Sequence, residues 1–445
     1  MTHMLQSFDP FTGELIDEVT VTSPAQLQQI VAAGHTAAKQ WQALTPEKRL
    51  HYIRAAYAGV EPEMETLAEL LSREMGKDIR RSTGEVHGTV MGGPYIAEAA
   101  LQALQPQHFN GTTLEYRPLG TVAVISPWNY PLAMANNLII PALIAGNSVI
   151  WKPSEETPLI AQAFFNLIKK ELPPNVLQIV HGTGEQGRML VESEVDMIAF
   201  TGSQIVGRDI MQRAAKDLKR LVMELGGNDP MIVLNDADLN AAARFAVASS
   251  FENAGQMCIS TERIYVDAAI ADTFEQKVVD YASHYKVGPW NMEGVNIGPI
   301  INTRQHQKIS EHIQEAVEKK CRLLYGSVDQ KPPFIIPTVL ADLTQEMRIM
   351  REETFGPVVC INRFTNLDEA IHLANDTNYG LGAVVFGNQN VHHVADQLEA
   401  GMIGINQGVG GGGDTPWVGA KQSGFGFHGS PEGHRQFAQT RVTNS

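Results

Sequence analysis

The sequence is poor in cysteine, with only Cys258, Cys321 and Cys360 in 445 residues, and this odd, widely spread set gives no disulfide framework. At least one thiol is therefore free for chemistry. Basic residues are also scarce: 34 Lys and Arg stand against 49 Asp and Glu, for a formal net charge of −15. That balance disfavours a nucleic-acid groove or an anionic membrane surface, because both need a concentrated basic face. Small molecules and other subunits are the expected partners. No apolar run is long enough for a bilayer, since the most apolar stretch, 119–151, is broken by Pro127, Asn129, Pro131, Asn136, Asn137, Pro141 and Asn147. Residues 1–9 lack a basic region followed by an apolar one, so no signal peptide is read and a cytoplasmic location is expected. No metal site is expected either.

What is present is length and pattern. A chain of this size exceeds a single core, and two or three domains are expected. Helical periodicity covers 24–44, 46–75 and 85–104, with Thr45 and Pro46 as N-cap and first helical residue of the second segment. From Leu119 short β-rich runs (121–126, 148–151, 176–180, 196–200) alternate with helix-length segments (132–145, 158–172, 187–194). Continuously apolar strands spaced by helices indicate a parallel sheet covered on both faces, the form of a nucleotide-binding α/β domain. A second α/β series follows Leu225, with strands at 230–234, 263–266, 358–361 and 382–386 and helices at 239–251 and 303–319. The glycine-rich run 408–413 reads as a loop or hinge.

Several strand-end motifs carry candidate chemistry. Gly182-Thr-Gly-Glu-Gln-Gly187 has the dinucleotide spacing, but the acidic residues after it, Glu192, Glu194 and Asp196, come too early to hold a ribose. Phe200-Thr-Gly-Ser-Gln-Ile-Val-Gly207 runs from a strand into a helix, so Gly202, Ser203 and Gly207 form either a phosphate-binding turn or a plain N-cap. Cys258 follows the helix-breaking Gly255 among small or polar neighbours, which suits a nucleophile; Cys321 and Cys360 suit inert core thiols. Glu224 ends an apolar strand before Gly226-Gly227. Burial there would raise its pKa toward that of a general base, or it caps backbone N–H groups. Asn129 in Ser126-Pro-Trp-Asn-Tyr-Pro131 is a neutral donor of the type that stabilises an oxyanion. Lys152 with Glu155, and Glu353 with Phe355, offer groups for ribose and ring contacts, or are ordinary strand-end loops.

Taken together, these motifs resemble the aldehyde dehydrogenase superfamily of NAD(P)-dependent enzymes. The match runs from Asp9-Pro-Phe-Thr-Gly-Glu14 to Lys421-Gln-Ser-Gly-Phe-Gly426, and the Glu224-to-Cys258 and Asn129-to-Lys152 spacings are typical of that family. The resemblance implies an α/β fold with a Rossmann-type cofactor domain (1–111 and 119–225), an α/β catalytic domain (226–428) and a small bridging β element (112–118 and 437–445). It implies an aldehyde oxidised to its acid through attack by Cys258, an oxyanion held at Asn129, and a thioester hydrolysed by water that Glu224 activates. Trp128, Lys152, Glu155, Gly202, Ser203, Gly207, Glu353 and Phe355 would hold the cofactor. That cofactor is NAD, with NADP as the alternative, since Glu155 would repel a 2′-phosphate and Lys152 would offset this. Tyr130, Ala133, Met134, Asn137, Met257, Ile259 and Trp417 would line the pocket for a small semialdehyde or an aromatic or aliphatic aldehyde. A homodimer or homotetramer is implied as well.

The chain departs from the family pattern twice. Glu-Leu-Gly-Gly is followed by Asn228-Asp229-Pro230, as in some semialdehyde dehydrogenases, rather than by lysine. Gly426-Phe427-His428 replaces a common Gly-Arg-Glu, so His428 either relays protons or leaves that to water, and one anchor for a substrate carboxylate is missing. The competing readings are a CoA-acylating aldehyde dehydrogenase and a catalytically silent binding paralogue.

Overall fold

A computed structural model describes residues 3–410 and 414–444; 411–413, within the expected glycine-rich loop, lie outside the described residues. Two sheets dominate. The first has the order 424–425, 220–224, 197–201, 121–125, 148–152, 177–179, parallel except for the antiparallel edge strand Gly424–Phe425. Its strands are buried on both faces, Thr121–Ile125 and Ser148–Lys152 at every residue, which is why they read as unbroken apolar runs. The chain enters at the central strand Thr121–Ile125, builds outward through Ser148–Lys152 to Leu177–Ile179, then returns to add Met197–Thr201 and Arg220–Glu224 on the other side. The order reverses beside Thr121–Ile125. A crevice opens at the carboxyl ends of strands at such a switch point.

The second sheet has the order 322–325, 338–341, 358–364, 261–267, 229–233, 382–386, 402–405, parallel except for its first pair. It encloses its own core, including Ile232, Ile264, Val359 and Val385. A third, small sheet joins Ala438–Asn444 to Thr112–Pro118 across seven paired residues, with Gln107–Phe109 on the other edge. A hairpin, Met4–Phe8 with Leu15–Thr20, precedes everything; the Asp9 carboxylate accepts from Phe11 and Thr12 N–H in its turn.

Two expectations need correction. The periodic segment 46–75 is not one helix but Pro46–Ala58, a short turn at Glu61–Glu63, and Met64–Met75. Pro62 lacks an N–H for the helical ladder and disfavours a helical residue before it, so the helix stops and restarts. The helix expected from Glu85 begins at Ile79, because Asp78 caps it by accepting from Arg81 N–H. The earlier start places Arg81 on the helix and Lys77 just before its cap, next to the site described below. Among the described residues no helix is long and apolar enough to cross a membrane, and no group of three His, Cys, Asp or Glu could hold a metal.

Candidate active site

Glu224 is the last residue of its strand, fixed by the neighbouring ladder: it pairs with Thr201 on one side and Gly424 on the other, and its carbonyl accepts from Gly202 N–H at 2.9 Å. Its side chain is buried and neither carboxylate oxygen has a partner. A backbone-capping role is therefore excluded. Burial alone pushes its pKa well above the usual carboxylate range.

Cys258 sits, half-buried, after a turn that ends the helix Leu239–Phe251. Asn253, Ala254 and Gly255 are all left-handed, at φ 52°, 57° and 72°. Two non-glycine residues in that region store strain that the surroundings must hold. Asn253 Nδ2 donates to the Gln256 carbonyl at 3.2 Å, Gln256 Nε2 donates back to the Asn253 carbonyl at 3.0 Å, and Gln256 Oε1 accepts from Ile301 N–H at 3.0 Å. Asn129 Nδ2 also donates to the Gln256 carbonyl at 3.0 Å, which places this amide against the cysteine turn. Gly255 is obligatory here, since a β-carbon would lie 2.1 Å from the Gly356 carbonyl group. Burial raises the Cys258 thiol pKa, and the nearby charges of Glu353, Asp229 and Glu224 raise it further. At rest the sulfur is thus held as a thiol, with three carboxylates acting on it electrostatically.

Residues 2–443 match the Aldehyde dehydrogenase family. The chain is 37% identical over 440 residues to a probable NADP(+) succinate-semialdehyde dehydrogenase of Sinorhizobium fredii, covering 96% of this chain and 89% of that protein. It is 35% identical over 443 residues to a glutarate-semialdehyde dehydrogenase of Pseudomonas putida, covering 97% and 92%. The crystal structure of succinate-semialdehyde dehydrogenase from Burkholderia pseudomallei superposes with a TM-score of 0.95 at 34% identity, covering 99% of this chain and 94% of that one. The chain belongs to the aldehyde dehydrogenase family.

The remaining residues expected at this enzyme's site fall into three groups. Glu353 and Phe355 come to the catalytic loops because the buried Glu262 carboxylate accepts from Thr354 and Phe355 N–H, at 2.8 and 2.7 Å. Glu353 in turn accepts from Gly227 N–H at 3.0 Å, and burial lifts its pKa to about 8. Phe355 meets Trp128 edge to face at 5.5 Å. Asn228 donates to Glu262 at 3.0 Å and so ties the Gly-Gly turn to the same carboxylate.

The second group lies at the carboxyl ends of the strands beside the switch point. Lys152 ends its strand, buried, 3.7 Å from the half-exposed Glu155, and burial lowers its pKa. Ser203 caps the helix Gln204–Ala214 by accepting from Val206 N–H. The glycines beside it leave no room for side chains, as a β-carbon on Gly202 would strike the Phe200 ring and one on Gly207 would strike Leu225. By contrast, Thr183 and Gln186 close a capping box over the Gly182–Gly187 motif, which starts an ordinary helix.

The third group is the pocket. Tyr130, Ala133 and Asn137 line one cavity, and Asn137 and Trp417 line a second, of about 590 Å³. Met257 approaches the Tyr130 hydroxyl at 3.8 Å, whereas Met134 and Ile259 line neither cavity. His428 is buried, stacks on Trp417 at 6.4 Å, and has its pKa lowered to about 4 by burial and by His434.

Sequence reasoning missed Lys77 and Glu85. Lys77 Nζ lies 2.5 Å from Glu85 and donates to the Asn129 carbonyl at 2.8 Å, over the Tyr130 ring. Glu85 accepts from Leu132 and Ala133 N–H, capping the helix Pro131–Ile144. No local motif marks either residue; the only signal is a lysine just before a helix cap and a glutamate on that helix, both of which the fold buries.

Proposed function

We propose that the protein oxidises a small or medium aldehyde to the carboxylic acid with NAD, NADP being the alternative cofactor. Cys258 is the nucleophile, Glu224 the base and Asn129 the oxyanion donor. The reading is carried by Glu224, a buried carboxylate with no partner at a strand end, whose charge acts on the Cys258 thiol. Such a group is poised to accept a proton rather than to stabilise the fold.

The crevice suits a dinucleotide on its own features. A helix N-terminus follows a turn whose glycines are closed to side chains, and the exposed Ile205 and Val206 offer an apolar face to an aromatic base. Gly202, Ser203, Gly207, Lys152 and Glu155 would hold the adenosine half, and Glu353, Phe355 and Trp128 the nicotinamide half. When bound, the nicotinamide accepts a hydride. The protein's own steps are attack, stabilisation and hydrolysis. The Cys258 sulfur adds to the aldehyde carbon as its proton passes to a carboxylate. The Asn129 amide uses one hydrogen on Gln256 and has a second for the oxyanion. After oxidation Glu224 takes a proton from water, which attacks the thioester and releases the acid.

Production of NADH from butanal without CoA tests the scheme. Steady turnover by the native enzyme, one burst per site in Glu224→Gln and no product in Cys258→Ala are expected. A burst that stalls in the native enzyme until CoA is added would instead favour the acylating reading. Unchanged turnover in Cys258→Ala would sink the mechanism, and absence of NADH with the native protein would favour the silent reading.

A further inference from the structure

Between the helices Ile79–Ala103 and Pro131–Ile144 and the cysteine turn lies a cavity of about 410 Å³, with Arg81, Gly84, Gly88, Tyr130, Asn137 and Glu252 in its walls. Gly84 and Gly88 have nothing within 4 Å of where a β-carbon would stand. Glycine weakens a helix relative to alanine, so what these two contribute is open space. The cavity adjoins the reacting cysteine through Tyr130, whose hydroxyl touches Met257 at 3.8 Å and donates to Glu252 at 3.0 Å.

The charges in this wall are unequally paired. Arg81 spends Nη1 on the buried Asp78 at 2.5 Å, and Glu85 is paired with Lys77 at 2.5 Å. Glu252 makes no ion pair within 4 Å among the described residues; the group that bonds its side chain, the Tyr130 hydroxyl, is neutral. Its half-buried carboxylate therefore has no direct cation partner, the charges of Arg81 and Lys77 acting on it only from beyond that distance. A partly desolvated carboxylate gains most from a charge-assisted bond to an ammonium group and repels a second carboxylate.

We propose that Glu252 is a specificity-determining residue that receives the positively charged end of the substrate, a short aldehyde bearing a primary ammonium group. This rests on the aldehyde-oxidising reading above and narrows it. It also sets this chain apart from the semialdehyde enzymes it resembles, which by name act on aldehydes that carry a carboxylate.

Three aldehydes that share a three-carbon OHC–CH2–CH2 unit test the proposal: 3-aminopropanal, butanal and succinate semialdehyde carry ammonium, methyl and carboxylate on it. The native enzyme is expected to favour 3-aminopropanal over succinate semialdehyde by about a hundredfold in kcat/KM, with butanal between them. Glu252→Gln keeps an acceptor for Tyr130 and should raise KM for 3-aminopropanal about tenfold, compressing the series. A preference for succinate semialdehyde, which would assign Arg81 as a carboxylate seat, overturns the proposal. So does a series unchanged by Glu252→Gln. Failure to oxidise any of the three would instead remove the enzymatic reading. The cavity is then judged by calorimetry on Cys258→Ala with propylammonium and propionate: tighter binding of propylammonium supports the charge assignment, and equal or reversed binding overturns it.

Discussion

Lys77 and Glu85 lie 2.5 Å apart with neither side chain exposed, and both bond onward to the segment that carries Asn129. A buried pair is weak evidence for stability, but removing one partner leaves an uncompensated charge. Lys77→Met should therefore cost about 3–5 kcal/mol, read as a lower denaturation midpoint, together with a fall in kcat as Asn129 loses its anchor. Adding Glu85→Gln should recover part of the stability but not the rate. Recovery of both would show that the pair does not position Asn129.

Gly227 stands where a β-carbon would lie 2.2 Å from the Cys258 carbonyl oxygen and 2.7 Å from Asp229. Backbone cannot yield as a flexible side chain does, so Gly227→Ala should displace the cysteine. A loss in kcat of about 100-fold is expected, since reacting atoms tolerate little misplacement. Normal turnover by the purified variant would refute the close approach.

Burial moves the groups that the proposed mechanism uses in one direction. Burial raises the pKa values of Cys258, Glu224 and Glu353, the last to about 8, and the proposed mechanism uses Cys258 and Glu224 in their deprotonated forms. Hence kcat/KM should climb as pH rises above neutral, and Glu353→Gln should change the profile near pH 8. A native profile flat from about pH 6 to 9 would contradict this electrostatic picture.

Glu74 gives a separate pH effect on stability. Its buried carboxylate accepts from Leu159 and Ile160 N–H and from Ser7, joining the N-terminal hairpin to the start of the helix Pro158–Ile168, and burial lifts its pKa to about 7. Folding thus favours the protonated form relative to the unfolded chain. The contribution is complete below the ordinary carboxylate pKa and is lost as pH rises through about 7. Denaturant midpoints of native and Glu74→Gln protein should therefore respond differently to a rise from pH 5 to 7.5, with the native protein losing more. Parallel responses would exclude Glu74 as the source.

Much of this was legible in sequence, and the exceptions are instructive. Strands such as Thr121–Ile125 are apolar along their whole length because both faces are covered, so they stand out without context. The break at Pro62 was hidden, because apolar periodicity continues across a proline that the backbone cannot follow. At the site, Glu224 was visible as a charge ending an apolar strand. Ser203 was ambiguous between phosphate turn and cap; the structure adds the cap bond and closes Gly202 and Gly207 to side chains.

The sequence alone determined the alternation of elements, the free thiol, the strand-end motifs and the family resemblance, because each is set by local composition and spacing. Tertiary structure alone decided which charges meet. Lys77 reaches the Asn129 carbonyl, Glu262 gathers the Glu353 loop, and Glu252 comes to the cavity wall with no ion pair within 4 Å among the described residues. The physical reason is burial: a charge costs little in water and much in a closed interior, and only the folded chain determines which charges are enclosed together.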